Sequence, residues 1–499
     1  MKRPSPLCTS AALAALFCAT AAQADVTADQ VWQDWKAHYA GMGQTITSGA
    51  ENREGDVLVL KDVKFASTSG TTTSEGTIAE LRLKELGDGT VEVTLSPEIP
   101  MVVHNKPAEG PASDLTAKIT QTDAKMLVSG TTEAMDYAFT ATDIGLSMDE
   151  AKLDGSATPM KMQITAHGYS GTSHVEKAAG YTVKWDYTAE GIDFAMAGAD
   201  PEGKSTLNFS GKLNGLKGMS LMAIPNGVDM ADLNAALQAG LSMEGSFDFG
   251  GGSYKLEGIG ADGNFIADSS GGAGKLTLKM SKDGLAYGGE SVDSKMALSG
   301  SSMPFPVEAT IAQTALSMVM PVSMSDTAQP ASLLLKIVDL GVSDSLWGLI
   351  DPTAKLPHDP ATLVLDLSGS LKPLVNLFDA KETAAFASAA TGGAGSPKLH
   401  FEASEAKINQ LQLKAVGAEL TGTGAVTLDN AATPPKPVGG VDLNLTGANK
   451  LMDNLVAMGL VPQEQMMGMF AVPAGEDAYT SKIEFKEDGG IYVNGQRIQ

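Results

Sequence analysis

The sequence predicts a mainly β protein, in which large curved antiparallel sheets are accompanied by one N-terminal helix and short helical inserts. Apolar and polar residues alternate with period two over most of the chain, as in strands with one buried and one solvated face. Glycine beside aspartate or asparagine separates many of these runs, and such pairs favour hairpin turns. Helical periodicity is limited to a few short segments. A hydrophobic fraction of 43% is sufficient for a folded core.

The first element along the chain is a predicted signal peptide, residues 1–24. Two basic residues precede an apolar stretch at positions 7–21, which is too short to span a membrane as a helix. A lipoprotein signal is disfavoured because the bulky Phe17 precedes Cys18. The A-x-A motif that follows predicts cleavage just before the mature chain, and the predicted cleavage residues are Ala22, Ala24 and Asp25.

The composition limits the environment and the partners of the mature chain. Both cysteines, Cys8 and Cys18, lie in the predicted signal, so the mature chain has no disulfides, which favours a bacterial periplasmic or secreted protein. The 59 acidic and 35 basic residues give a net charge of −24, which excludes the basic surface of a nucleic-acid-binding protein. The mature sequence has no apolar stretch long enough to predict a transmembrane helix.

One helix is predicted directly after the cleavage site. Thr27 is its candidate N-cap, and Gly41 is expected to end it. Val31 and Trp35 form an apolar stripe with Trp32 beside it, which predicts packing against a sheet. The alternative is a helix that lies on a membrane surface, and it is disfavoured because the segment is short of basic residues.

The remainder of the chain contains runs that predict strands and turns. The clearest alternating runs lie at residues 91–95, 181–187, 192–196, 207–211, 276–280, 316–324, 363–367, 411–415 and 441–445. Hairpin turns are predicted at Gly87-Asp88-Gly89, Asp262-Gly263-Asn264, Asp283-Gly284, Asp488-Gly489-Gly490 and Asn494-Gly495. These elements predict half-buried antiparallel strands that are joined by short connections.

Helical inserts are predicted to interrupt the strands at four places. They lie at residues 229–239, at 450–458, after Pro462, and after Pro373 with Leu374, Leu377 and Phe378. The first insert marks a boundary that divides the mature chain into two β-rich halves, residues 25–225 and 226–499. The second half is expected to contain the other inserts and a C-terminal hairpin.

Motifs for catalysis, metals and nucleotides are missing or incomplete, so the sequence predicts a non-enzymatic protein without a cofactor or a metal. Residues 198–205 match the G-x-x-x-x-G-K-[ST] pattern of a phosphate-binding loop, but an alternating run follows where a helix is needed, which predicts a hairpin. The six histidines are scattered, and no G-x-S-x-G nucleophile motif occurs. A glycine-rich segment at 258–265 is similar to part of a calcium-binding repeat and is predicted to be a plain turn.

Methionine is abundant, with 24 residues, and two clusters lie at 318–324 and 466–469. Core filling, a surface for varied apolar partners and copper(I) binding are three alternative roles for such thioether clusters. The first cluster belongs to an unusually long apolar strand face. This candidate ligand-binding face consists of Leu316, Met318, Met320, Val322 and Met324.

Several segments carry a resemblance to a known family. Residues 345–352 read Ser-Leu-Trp-Gly-Leu-Ile-Asp-Pro, and residues 356–363 read Leu-Pro-His-Asp-Pro-Ala-Thr-Leu. Together with Trp32, Trp35 and the ending Gly490-Ile491-Tyr492-Val493-Asn494-Gly495, they resemble the bacterial family named domain of unknown function 2125. The strand-rich pattern and the closing hairpin are more distantly similar to the YdgA and AsmA-like envelope proteins.

The resemblance implies a β-rich protein of the cell envelope, and some AsmA-like proteins are implicated in phospholipid traffic. It implies no catalytic residues. We therefore expect an exported, periplasmic or secreted, non-enzymatic protein that presents an apolar sheet face to lipid or another hydrophobic ligand. The alternative is a structural or partner-binding periplasmic protein whose own helices close the apolar faces. The two functions differ in whether the protein's own helices leave apolar strand faces uncovered.

Overall fold

The computed structural model describes residues 25–499, except residues 42, 108–109, 201, 229, 231, 262, 380, 383–399, 432–434 and 462–470. The predicted cleavage residues Ala22 and Ala24 and the helix predicted after Pro462 therefore lie outside the described part of the chain. The described residues form four helices and 28 strands, which confirms the predicted mainly β fold class.

The helices are short, and the strands range from two to twenty residues. The helices are α1 (Ala28–Gly41), α2 (Leu233–Gln238), α3 (Asp344–Ile350) and α4 (Ala448–Ala457). The first thirteen strands are β1 (Thr45–Thr47), β2 (Ala50–Glu54), β3 (Val57–Ser69), β4 (Thr72–Glu85), β5 (Val91–Leu95), β6 (Glu98–Asn105), β7 (Ser113–Thr122), β8 (Lys125–Gly130), β9 (Ala134–Leu153), β10 (Ser156–Thr158), β11 (Met160–Lys177), β12 (Gly180–Ala199) and β13 (Thr206–Pro225). The others are β14 (Ser242–Phe249), β15 (Gly251–Gly260), β16 (Gly263–Gly271), β17 (Gly274–Ser281), β18 (Gly284–Gly300), β19 (Val307–Met320), β20 (Gln329–Val342), β21 (Ala361–Pro373), β22 (Phe401–Ala415), β23 (Ala418–Asp429), β24 (Lys436–Thr446), β25 (Val472–Gly475), β26 (Ala478–Phe485), β27 (Ile491–Val493) and β28 (Gln496–Arg497).

The strands form one antiparallel sheet that follows the order of the sequence. Each strand pairs only with strands that lie nearby in the chain, so the ladder runs from β1 and β2 at one edge to β27 and β28 at the other. Strand β13 pairs with both β14 and β15, so the ladder is continuous across the predicted boundary at residue 225. The division into two halves stays a prediction.

A line of irregularities crosses the middle of the long strands, and we call it the crease. Residues with positive φ mark it at Asp62, Gly168, Gly215, Asp293 and Asp339. At the crease two successive residues point to the same face, so the alternation of side chains changes phase. In β12, for example, Tyr187 and Ala189 share a face with Ile192 and Phe194. Bulges of this kind bend strands, so the crease divides the sheet into two walls.

The two walls are defined by the short strands that belong to only one of them. Wall A comprises β5, β8, β14 and β17 and the halves of the longer strands that are continuous with them in the ladder. Wall B comprises β6, β7, β15 and β16 and the corresponding halves. The long strands β9, β11, β12, β13 and β18 pass through both walls.

The apolar side of the sheet is continuous across both walls, and we call it the groove face. Three of its residues beside the crease are nearly closed to solvent, since Ala141, Ala189 and Leu216 are 5%, 6% and 2% exposed. Farther out on the same face, Trp185 in wall A is 46% exposed and Leu207 in wall B is 50% exposed. Accessibility that falls toward the crease is expected where two walls converge. We infer that the two walls converge on this side of the sheet and enclose an open groove.

Helix α1 closes the groove at its N-terminal end. Gln30 N donates to Thr27 Oγ1 at 3.2 Å and Thr27 N donates to Gln30 Oε1 at 2.9 Å, so the two residues cap the helix reciprocally. Val31 and Trp32 are 0% and 1% exposed, which confirms the predicted packing against a sheet. Their core partners on the groove face are Leu58, Leu60, Val63, Leu81, Leu83, Val91, Val93, Val128 and Met135.

The helices predicted within the β-rich part have different outcomes. The inserts predicted at residues 229–239 and 450–458 are confirmed as α2 and α4, although α2 is shorter than expected. The helix predicted after Pro373 is wrong over residues 373–378, because Pro373 ends β21 and pairs with Phe401. A proline is tolerated there because the end of a strand needs no further ladder N–H group.

Hydrogen bonds to a neighbouring loop explain why the segment after β21 is not helical. Ser325 N donates to Pro373 O at 3.2 Å, and Leu377 N donates to Val322 O at 2.9 Å. Met324 N donates to Asn376 Oδ1 at 2.9 Å. Several hydrogen-bonding groups of the segment are therefore paired with the chain that follows β19, and they are not available for helical turns.

Candidate functional site

The groove face carries no charged side chain along the described strands from β12 to β24. Apart from Gln329, its residues here are apolar or are glycine, serine or threonine. Its largest residues in wall A include Trp185, Tyr187, Phe247, Leu276, Leu278, Leu316, Leu335 and Leu365. Those in wall B include Ile192, Phe194, Phe209, Leu256, Phe265, Met296 and Leu298. This surface offers dispersion contacts and almost no polar recognition.

The middle of this groove face is exposed to solvent although it is apolar. Leu298 and Leu316 are both 42% exposed, and Tyr254 is 48% exposed. A sheet face of this kind is normally covered by a second layer of structure. Scattered apolar residues on a surface are ordinary, but a continuous apolar patch is typical of an interaction site.

Helix α2 covers only the rim of wall A. Ala236 and Leu237 are 0% and 2% exposed, and they pack with Met280 at the end of β17 and with Phe378. Gln238 Nε2 donates to the hydroxyl of Ser323 at 2.8 Å, which fixes the helix to the end of β19. The helix therefore leaves the middle of the groove face open.

The length of the uncovered groove suits an extended apolar ligand. Strands β12, β13, β14, β17, β18 and then β19 to β24 lie side by side in wall A. Neighbouring strands are about 4.8 Å apart, so this stretch is roughly 50 Å long. The hydrocarbon core of a bilayer is about 30 Å thick, so the acyl chains of one leaflet extend over about half of that distance. The groove is thus longer than one extended acyl chain.

The structure places three residues of the predicted ligand face on the groove face. Leu316, Met318 and Met320 lie in wall A on β19, and Leu316 and Met318 pair with Leu335 and Leu333 of β20. Leu316 is 42% exposed, while both methionines are half-buried. Their apolar surroundings extend onto the strands on both sides. The methionines thus belong to the groove surface.

The extension of this face to Val322 and Met324 is wrong. Strand β19 ends at Met320, because Pro321 follows and has no N–H group for the ladder. Val322 is 2% exposed beneath the segment that follows β21, and Met324 is 65% exposed outside the sheet. Neither residue therefore lines the groove.

Most groove residues were not identified from the sequence, although a signal for them exists. The alternating runs on either side of residue 190 change phase, with Tyr187 apolar before it and Ile192 apolar after it. The same change of phase occurs between Leu60 and Val63. A phase change without an intervening turn indicates a bulge within one strand. Recognising this bulge in the sequence would have joined the separate apolar runs into one continuous face.

Polar contacts hold α1 at the closed end of the groove. The Asp34 carboxylate, 9% exposed, forms an ion pair with the Lys177 ammonium, which also donates to Thr132 O at 2.9 Å. Burial lowers the pKa of Lys177. Trp32 Nε1 donates to Glu51 Oε1 at 2.8 Å. These contacts orient the helix on a face that is otherwise apolar.

The face opposite the groove face, which we call the convex face, carries the charged side chains of the sheet together with scattered apolar residues such as Val319. Lys184 and Asp186 form an ion pair at 3.1 Å, as do many cross-strand or same-strand neighbours on this face. At the crease His167 Nδ1 lies 2.6 Å from Asp143 Oδ1, and its Nε2 lies 3.1 Å from Asp193 Oδ2. The hydrogen bond to Asp143 raises the pKa of His167. The contrast with the groove face means that the two faces meet different environments.

The segment that resembles a phosphate-binding loop is the hairpin between β12 and β13, as predicted. The carboxylate of Asp200 accepts hydrogen bonds from the backbone N–H groups of Glu202, Lys204 and Ser205 at 2.9, 3.0 and 2.7 Å. The N–H groups that a phosphate would need therefore already have an anionic partner. The Lys204 side chain is 77% exposed and pairs with Glu202.

The segment that carries the family resemblance forms α3 and the loop after it. Trp347 stacks on His358 with ring centroids 4.3 Å apart and ring planes 6° apart. Asp351 is 2% exposed and accepts a hydrogen bond from Leu356 N at 2.6 Å. These contacts fix the loop between α3 and β21, which is a structural role.

Two further features of the described residues bear on the site. No group of three or more histidine, cysteine, aspartate or glutamate side chains in that part of the chain is arranged to hold a metal ion. None of the described helices is long and apolar enough to cross a membrane.

The chain was compared with known proteins. No protein-family model matches it, and no curated protein matches it either. The resemblance to the domain of unknown function 2125 family and to the AsmA-like proteins therefore stays a prediction.

Proposed function

We propose that the protein is an exported, non-enzymatic protein of the bacterial cell envelope, and that its groove binds the acyl chains of lipids or a similar apolar ligand. One observation carries the proposal. Several large apolar residues of the groove face, from Trp185 on β12 to Leu316 on β19, are 37% to 50% exposed, with no charged residue on that face between them. Apolar surface that remains in water is costly at about 25 cal/mol per Å², so a ligand that covers it gains free energy.

The chemistry of the groove favours an alkyl chain over a polar ligand. A polar ligand in a desolvated site needs hydrogen-bond partners, and the groove face supplies only scattered hydroxyl groups. An alkyl chain needs none. A charged headgroup would have to remain outside the groove, in water.

The predicted signal peptide and the cysteine-free mature chain support an envelope location, where lipids and exported proteins meet. The net charge of −24 disfavours adhesion to an anionic bilayer surface. We therefore propose a periplasmic protein that holds lipid chains in its groove rather than one that lies on a membrane.

The test measures binding of a fluorescent straight-chain fatty acid to protein purified from the periplasmic fraction with Asp25 as its N terminus. Leu316→Asp places a carboxylate in the groove and should weaken binding more than tenfold, because the chain would have to desolvate the charge. Val319→Asp is the matched control, since Val319 lies on the convex face of the same strand and is 38% exposed, close to the 42% of Leu316. It should change binding less than about twofold.

The outcomes separate the proposed function from its alternative. Native mass spectrometry and lipid extraction of the wild-type protein should detect bound lipid, and Leu316→Asp should lose it while remaining folded. A wild-type protein that carries no lipid and does not bind the probe would contradict the proposal. Stoichiometric capture of a second protein on the groove face would instead support the structural or partner-binding function.

A further inference from the structure

Five aromatic rings on the groove face lie directly opposite glycine residues of the neighbouring strand. The pairs are Phe65 with Gly76, Tyr187 with Gly218, Phe194 with Gly211, Phe249 with Gly274, and Phe265 with Gly258. A Cβ atom added at any of these glycines would lie closer than 3.0 Å to the opposing ring. The rings therefore lie down over the neighbouring strand and occupy the space that a side chain would take.

This arrangement determines how far the rings project into the groove. A ring opposite a larger residue would have to stand away from the sheet. Over glycine it covers the backbone instead, which is a known way in which an aromatic residue compensates for a glycine in a strand. The pairs occur in both walls, with Tyr187 and Phe249 in wall A and Phe194 and Phe265 in wall B.

We propose that these ring-over-glycine pairs set the clearance of the groove and restrict its ligand to unbranched alkyl chains. The inference rests on the proposed function. Ala189 and Leu216 beside the crease are only 6% and 2% exposed, so little space is left for a ligand at the floor of the groove. Because the rings lie flat, they do not project into the groove, and the methylene groups of the ligand contact the ring faces. A methyl branch or a fused ring system is too wide to make the same contacts.

Gly218→Ala tests the clearance most directly. The atoms nearest to its added Cβ all belong to the Tyr187 side chain, so the ring has to rise into the groove while the backbone remains in place. Affinity for a straight-chain fatty acid should fall about tenfold, which corresponds to roughly two methylene groups that lose their contacts. Gly198→Ala is the matched control, because Gly198 lies on the same face with open space around its added Cβ. Its affinity should equal that of the wild type.

A double-mutant cycle distinguishes clearance from general damage. In a Tyr187→Leu background, Gly218→Ala should have no effect on affinity, because no ring remains to be lifted. A loss that persists in that background would overturn the inference. Gly258→Ala beneath Phe265 repeats the test in wall B, where the nearest atoms again belong only to the ring. If both alanine variants fail to fold, the rings cannot rise, and the inference is overturned as well.

Selectivity provides the second readout. The wild-type protein should bind a straight-chain fatty acid about four- to fifteenfold more tightly than a methyl-branched chain of equal length, since a branch loses the contacts of one or two methylenes. Equal affinities would overturn the inference while leaving the proposed function intact. Absence of binding to both probes would contradict the proposed function itself.

Discussion

Leu60 and Leu316 occupy comparable positions on the groove face, yet Leu60 is 0% exposed and Leu316 is 42% exposed. Both belong to alternating strands in wall A of the same sheet. The difference is that α1 covers the first residue and no described helix covers the second. The alternation of a strand predicts which face is apolar, whereas burial depends on what lies on that face.

The comparison also indicates where the stability of the molecule is concentrated. Most fully buried side chains lie around α1, including Trp32, Leu60, Leu81 and Leu83. The middle of the groove is held mainly by the hydrogen-bonded ladder and by half-buried contacts. We infer that the α1 end is the rigid part of the groove and that the middle is the part adapted to a ligand.

The largest effect is expected for Trp32→Ala. The indole is 1% exposed and Nε1 donates to Glu51 at 2.8 Å, so the variant loses core packing and leaves a cavity. The free energy of unfolding should fall by about 3–5 kcal/mol. Chemical denaturation monitored by circular dichroism measures it. A loss below about 1 kcal/mol would contradict the conclusion that α1 is part of the core.

An intermediate effect is expected for Asp34→Asn. The change removes the charge partner of the partly buried Lys177 but leaves that ammonium its hydrogen bond to Thr132. Unfolding should require about 1–2 kcal/mol less free energy. Asp186→Asn is the matched control, since its ion pair with Lys184 is exposed on the convex face and should contribute less than about 0.5 kcal/mol. Equal losses of unfolding free energy in the two variants would show that the ion pair at the closed end of the groove contributes no more than one on the exposed surface.

The smallest effect is expected for Leu316→Ala. The side chain already contacts water, so the free energy of unfolding of the ligand-free protein should fall by less than about 1 kcal/mol. The same substitution at Leu60 should cost about 2–5 kcal/mol. Thermal melts of both variants without ligand provide the measurement. Similar losses would indicate that the groove face is covered in solution.

Much of the fold could be predicted from the sequence because strands and turns are specified locally. The period-two runs, the glycine turns and the capped helix α1 all depend on residues within one element. The twenty-residue strand Gly180–Ala199 could not be predicted, because the phase change near residue 190 reads as the end of a strand. Joining the runs on either side requires knowledge of their partners in β11 and β13.

The candidate site was predictable only in fragments for the same reason. Leu316 and Met318 were identified because their alternation is long, while the other groove residues lie in shorter runs that the crease interrupts. Val322 was assigned to the same face although Pro321 ends the strand before it. Whether α1 or α2 covers a face depends on contacts between distant segments. The periodicity of a single strand carries no information about those contacts.

The order of the ladder has a consequence for how the chain acquires its structure. Strands pair only with near neighbours in sequence, so loop-closure costs are small and contacts form progressively along the chain. Such a quasi-one-dimensional architecture gains stability from each neighbouring interface in turn, as solenoid proteins do. We expect folding to nucleate at the α1 end, where the core is densest, and to propagate toward β28. Partial unfolding from the far end would then shorten the groove while its N-terminal part remains folded.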